Sequence, residues 1–206
     1  MEIATQFVRL VLVFGLVSKV IGLPPARSQV PTPDPRLYIN VDCQFSVELP
    51  RGHAACVSEH TNHGVAISLD RQAGCEHDDG APHIVVFANY NVATEAETPE
   101  RLAHFECGYR TFRRIVWLRR VTLGGRKAAG CRRYLDGDKV SVEISTLRKT
   151  DRWAMHWIQV GAELQTTADR YARDMRIFRR VLKTLWIHPD GPNNEPPSRL
   201  SPVCPQ

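Results

Sequence analysis

The chain has 206 residues and a formal net charge of +5. That length holds one ordinary domain with its own core, and so mild a charge names no partner class by itself. No Ser nucleophile elbow, phosphate loop or dinucleotide fingerprint is present, so the common hydrolase and nucleotide-binding classes find no support.

Phe7 to Leu23 is apolar apart from Arg9, Ser18 and Lys19, and Pro24-Pro25 and the small-x-small site Ala26-Arg27-Ser28 follow. Residues 1–28 therefore have the form of a secretory signal peptide cleaved near Ser28. The alternative is a retained membrane anchor, for which an apolar run of about 17 residues broken by Lys19 is marginal. Cleavage leaves no stable membrane span and a charge of +3, because Arg9, Lys19, Arg27 and Glu2 go with the leader. No Cys follows the apolar run, which argues against a bacterial lipoprotein. Residues 29–36, with Pro31, Pro33 and Pro35, read as an extended linker. A single domain is expected over 37–190, with an irregular Pro-rich tail over 191–206.

Within the domain, Leu37 to Leu49 predicts a first strand with Phe45, Val47 and Leu49 on one face. A His-rich polar loop covers His53 to His63, with a short strand near Val57. Val65, Ile67 and Leu69 alternate in a second strand, and the nearly continuous apolar run His83–Tyr90 predicts an internal one. Thr98-Pro99-Glu100 opens a helix, with Thr98 as N-cap and Pro99 at the first helical position. It should end at Gly108, with Leu102 and Phe105 inward. Ile115–Leu123 and Ala128–Leu135 are strands joined by Gly124-Gly125, and Asp136-Gly137-Asp138 turns into the next strand. There Val140, Val142 and Ile144 alternate with Ser141, Glu143 and Ser145. Arg152–Val160 carries apolar residues on both faces and predicts an inner strand. Thr166-Thr167-Ala168-Asp169 fits a capping box. Behind it Tyr171, Met175, Phe178, Val181, Leu182 and Leu185 form one apolar helical stripe opposite Arg and Lys. A one-sided sheet and a one-sided helix bury each other, so the fold class is α+β, an antiparallel sheet flanked by helices.

This order resembles the PsbP-like fold family. The resemblance rests on Phe45-Ser46-Val47-Glu48-Leu49-Pro50, on Val121-Thr122-Leu123-Gly124-Gly125-Arg126, and on the closing helix ending at Leu185-Trp186. It spans roughly residues 40–187. It implies an α/β/α sandwich and a bias towards binding other proteins without a shared active site, and no functional residue is carried over. The cysteines and the His-rich loop depart from the family pattern.

Six cysteines, all after the leader, read as up to three disulfides in an exported chain. The sequence chooses no pairing. The expected ones are Cys56–Cys75, Cys107–Cys131 and Cys43–Cys204, and the alternative is buried thiols.

Three constellations carry chemistry. His53-x-x-Cys56, His60-x-x-His63 and His77 have donors suited to Zn or Cu, although a disulfide competes for the thiolate. His104 and Cys107 lie one helical turn apart, which a thiol enzyme would need. The bland readings are surface histidines and a disulfide beside an incidental histidine. The third is charge: from Arg110 to Arg133 stand nine Arg or Lys and no acid. In the strand Ile115–Leu123, Arg119 and Arg120 fall on opposite faces, so they cannot form one flat patch with each other. With Arg126, Arg132 and Arg133, and with Arg173, Arg176 and Arg180 of the last helix, they are the candidate partner-binding residues. If those faces adjoin, they suit an acidic protein; a solvated polar face is the plain alternative. Nucleic acid is a poor candidate outside the cytoplasm.

The sequence thus predicts a periplasmic or secreted, disulfide-bonded domain without cofactor or enzymatic activity that binds another, acidic protein. One version is an immunity protein that neutralises a periplasmic toxin. The alternatives are an envelope-assembly accessory protein and a Zn- or Cu-binding protein.

Overall fold

The computed structural model describes residues 36–57, 64–70, 81–89, 96–108, 114–149 and 157–189. The expected leader, most of the linker and the tail lie outside them. Among the described residues no helix is long and apolar enough to cross a membrane.

Among the described residues, seven strands form one antiparallel sheet in the order β3 (Ala55–Cys56), β4 (Val65–Ser68), β5 (His83–Asn89), β9 (Trp157–Thr167), β8 (Lys139–Lys149), β7 (Arg126–Tyr134) and β6 (Arg114–Leu123). A second sheet of three strands joins β1 (Leu37–Asn40), β2 (Phe45–Glu48) and β10 (Trp186–Ile187). The helices among the described residues are α1 (Pro99–Gly108) and α2 (Tyr171–Thr184). The α+β class is as the patterning implied.

β8 is the spine of the large sheet. It pairs with β9 from Lys139↔Thr167 to Lys149↔Trp157, and with β7 on its other side. Val140, Val142 and Ile144 point to the face that carries α2, where burial of apolar surface drives packing. The stripe of α2 packs there through Phe178, Val181 and the following Leu185, joined by Phe45, Val47 and Ile187 of the small sheet. Leu147 and Trp157 point the other way and meet Leu102 of α1. The sheet is thus covered on both faces, α2 and the small sheet on one and α1 on the other.

Arg148 is buried among the α2-side residues of β8. Its guanidinium hydrogen-bonds Gln44 Oε1 and donates to the carbonyls of His188, at 3.2 Å, and Pro189, at 3.3 Å. A buried charge of this kind is tolerated when donors find acceptors. Here it ties the large sheet to the chain that follows β10.

Three expectations are corrected. The single strand over Leu37–Leu49 is a hairpin, β1 against β2. Asn40 breaks it, because its Oδ1 accepts the Cys43 amide at 2.7 Å and Gln44 takes a positive φ of 55°. The strand expected over Arg152–Val160 is observed over Trp157–Thr167, with 152–156 outside the described residues. Thr166 and Thr167 therefore belong to β9, and the helix starts after Arg170 with no side-chain cap. The alternation Ala162, Leu164, Thr166 continues the buried face, and burial outweighs the capping pattern. Finally, Leu102 is buried as expected, but Phe105 is 43% exposed, and α1 buries Ala103 and Cys107 in its place. A disulfide from Cys107 to Cys131 on β7 fixes that rotation.

Candidate functional site

β6 is the outermost strand of the large sheet, and its pairing slips in the middle. Leu118 lies opposite Gly130 and Val121 opposite Ala128, so Arg119 and Arg120 together face the single residue Ala129. This is a β-bulge, an extra residue that re-aims side chains. Arg120 takes φ 56°, a left-handed conformation unfavourable for a residue with a Cβ. In consequence both arginines, which a regular strand would send to opposite faces, line one groove. The expectation that they cannot share a patch is corrected by the bulge.

The groove lies between β6–β7 and α1 and has a volume of about 400 Å³. Ala103 and Ala129 are small residues in its lining. Gly130 also borders it, but its missing Cβ makes room for the Glu143 carbonyl of β8, which a Cβ would approach to 1.9 Å. His104 of α1 stacks on Trp117 of β6, with ring centroids 4.2 Å apart. Thr98 caps the helix by accepting the Arg101 amide at 3.2 Å, as its position implied. Glu100, in the first turn, pairs with Lys127 of β7 at 2.8 Å across the groove's lining. That hydrogen bond, with one from its own backbone amide, holds the Glu100 carboxyl below the usual carboxylate range. The Cys107–Cys131 disulfide closes a stretch separated by 24 positions and clamps α1 to β7 beside the groove. Among the described residues neither Arg119 nor Arg120 pairs with a carboxylate.

The remaining candidate residues are dispersed. Arg133 is buried, bridging Glu143 at 3.0 Å and Glu163 at 2.8 Å, and is no part of a surface. Arg132 stands on the α2 side, over the rings of Tyr134 and Tyr171, and donates to the Tyr171 hydroxyl at 3.3 Å. That bond raises its pKa. Arg126 is half-buried at the β6–β7 hairpin. Arg173, Arg176 and Arg180 are exposed on α2, and Arg173 bonds Asp174 at 3.0 Å. The α2 cations and the groove cations therefore lie on opposite faces of the sheet, so they do not form one patch.

Of the histidines, His60, His63 and His77 lie outside the described residues. His53 Nδ1 lies 2.9 Å from the Ser68 carbonyl oxygen. Cys56 is disulfide-bonded and so withholds its thiolate from His53; its expected partner Cys75 lies outside the described residues. Among the described residues no group of three His, Cys, Asp or Glu could hold a metal. Cys43 is a buried thiol, and its expected partner Cys204 lies outside the described residues. Cys107, being in a disulfide, cannot supply the thiolate that a Cys107–His104 enzyme would use.

Trp117, Lys127, Glu100 and the role of His104 in the groove were not apparent from the sequence. One signal was there: apolar residues Val116 and Leu118 are two apart, Val121 and Leu123 are two apart, but Leu118 and Val121 are three apart. That phase slip marks the bulge.

An α/β/α sandwich with a disulfide-clamped groove at its bulged sheet edge is the class that fold and site define. No protein-family model matches the chain, and no curated protein matches it in sequence. Among solved structures, LpqN of Mycobacterium tuberculosis, involved in cell envelope biogenesis, is similar to it. The alignment covers 70% of this chain and 83% of LpqN at a TM-score of 0.52 and 11% identity. Cyanobacterial PsbP (CyanoP) from Synechocystis sp. PCC 6803 aligns over 74% of this chain and 91% of its own, with a TM-score of 0.45 and 12% identity. The likeness to LpqN is one of fold.

Proposed function

We propose that this chain is an exported accessory protein of the cell envelope that works by holding a protein partner, and that it has no catalytic activity. The observation that carries the reading is the groove: a lining of α1 and a bulged strand pair clamped by a disulfide, an aromatic pair, and two arginines that among the described residues pair with no carboxylate. Preformed, partly apolar concavities with a few convergent polar groups are binding sites. Among the described residues its lining has no Ser, Thr or Cys nucleophile. The Cys107–Cys131 bond and the disulfide at Cys56 support an oxidising compartment. The fold shared with LpqN, a protein of envelope biogenesis, supports the accessory role above neutralisation of a delivered toxin.

The test is photo-crosslinking in intact cells from a reactive residue placed at Phe105, exposed on α1, and at Arg179, exposed on α2. Adducts with one envelope protein from position 105 and none from 179 are expected. Adducts confined to position 179, or to cytoplasmic proteins, would reject the reading. A captured toxin would restore the immunity role.

A further inference from the structure

The groove's chemistry is more specific than a generic contact surface. A bulge that costs a left-handed arginine brings two adjacent arginines into the lining of one groove. Strain of this kind persists where the surrounding structure over-determines it, and it clusters at ligand clamps. Like charges side by side are unfavourable without an anion between them. Lys127 is a third cation in the lining, and it pairs with Glu100. The stretch Arg110–Arg133 contains no acid at all. In the same lining, His104 and Trp117 present a pair of aromatic rings with centroids 4.2 Å apart. A volume of about 400 Å³ suits a pair of side chains from an extended segment, not a folded domain.

We propose that the groove reads an acidic-aromatic motif in an extended segment of the partner, an inference that rests on the protein-binding reading above. Arg119 and Arg120 fork one carboxylate, the geometry that favours Arg over Lys. A neighbouring aromatic side chain lies against Trp117 and His104, where ring edges and faces attract. Charge complementarity selects the occupant: among the described residues Arg119 and Arg120 pair with no carboxylate, so the segment supplies one.

The experiment uses the full oxidised chain and three acetylated, amidated pentapeptides: Ser-Glu-Phe-Glu-Ser, its Gln-for-Glu analogue and its Ser-for-Phe analogue. Binding is followed by NMR shifts of the Trp117 indole and of the Ala129 and Gly130 amides. The Glu-Phe-Glu peptide should move these signals, and each analogue should bind about tenfold more weakly or worse. Arg119→Gln with Arg120→Gly should weaken it by a similar factor, and Arg119→Gln alone, which leaves the bulge intact, should weaken it in part. Higher salt should weaken the wild type more than the double variant. Equal affinity for the Gln analogue, shifts confined to other parts of the molecule, or unchanged binding by a folded double variant would overturn the proposal. So would inorganic phosphate or phosphatidylglycerol vesicles moving the Trp117 signal where the peptide does not. In cells, an adduct from position 105 that survives the double variant overturns the motif but leaves the binding role standing. The absence of any adduct in the wild type removes both.

Discussion

Thr166 donates its hydroxyl to the carboxylate of Asp174 across 2.6 Å, joining the end of β9 to the first turn of α2. Asp174 has no exposure to solvent, yet it is well compensated. Arg173 Nε donates to it at 3.0 Å, and Arg170 Nε lies 3.4 Å away as an ion pair without hydrogen-bond geometry. A carboxylate in the first turn also faces the positive end of the helix. Removing one member of such a pairing leaves the others desolvated. Asp174→Ala should cost about 2–4 kcal/mol and Thr166→Val about 1–2 kcal/mol. Urea denaturation measures both; a Thr166→Val midpoint equal to wild type would show that the contact contributes nothing.

The disulfide between Cys107 and Cys131 should contribute about 3 kcal/mol, chiefly by restricting the unfolded chain, given the 24-position separation it closes. Replacing both residues by Ala should lower stability by that amount. It should also raise amide exchange in α1 before it raises exchange in β8. Uniform loss of protection across α1 and β8 would mean that the bond does not anchor the helix locally.

Arg120→Gly should be neutral or stabilising by at most about 1 kcal/mol, because glycine adopts φ 56° without strain but loses more entropy on folding. An exposed arginine in an ordinary strand would instead be weakened by glycine. Thermal melts of the two proteins decide this, and a clear destabilisation would mean that the arginine side chain itself holds the bulge.

His188 gives a pH dependence of known sign. Its pKa is lowered from the usual 6.5, first by burial and then by the Arg148 guanidinium. Between the lowered and the ordinary value the unfolded chain binds a proton that the folded chain does not, so stability rises with pH through that window. The penalty is fully present below the folded value and gone above the ordinary one. His188→Gln keeps the backbone bonds to Arg148 and Gln44 and should remove this part of the slope. Denaturation midpoints for both proteins from about pH 5 to 8 test it; parallel curves would refute it.

Much of the architecture was legible because burial imposes a period. Val140, Val142 and Ile144 in β8, and Phe178, Val181 and Leu185 at α2, are buried as their spacing implies. The misreadings arose where local patterns had a competing use. Tyr38, Ile39 and Val41 kept the first strand apolar through the turn that Asn40 makes. Thr166 satisfied a capping pattern, but its hydroxyl found a partner eight residues on. The groove was hardest to read because its walls come from α1 and from two strands later in the chain. Only the register links them: Trp117 pairs with Cys131, and Cys131 is bonded to Cys107, one turn beyond His104. Arg133 looked like one more surface cation because Glu143 and Glu163, which neutralise it, are 10 and 30 positions away.

The bulge at Arg119 and Arg120 also shapes what this molecule does in the company of its own copies. β6 ends a seven-stranded sheet, and a long, flat outer strand is a template on which another chain can lay its own backbone. The extra residue interrupts the run of outward amides and carbonyls after Leu118, and exposed cations at Arg114, Arg119 and Arg120 repel a second β6 brought alongside. Deleting one residue of the doublet would restore an unbroken ladder and halve that charge at its centre. The protein would then be expected to lose solubility as its concentration rises, through sheets joining edge to edge.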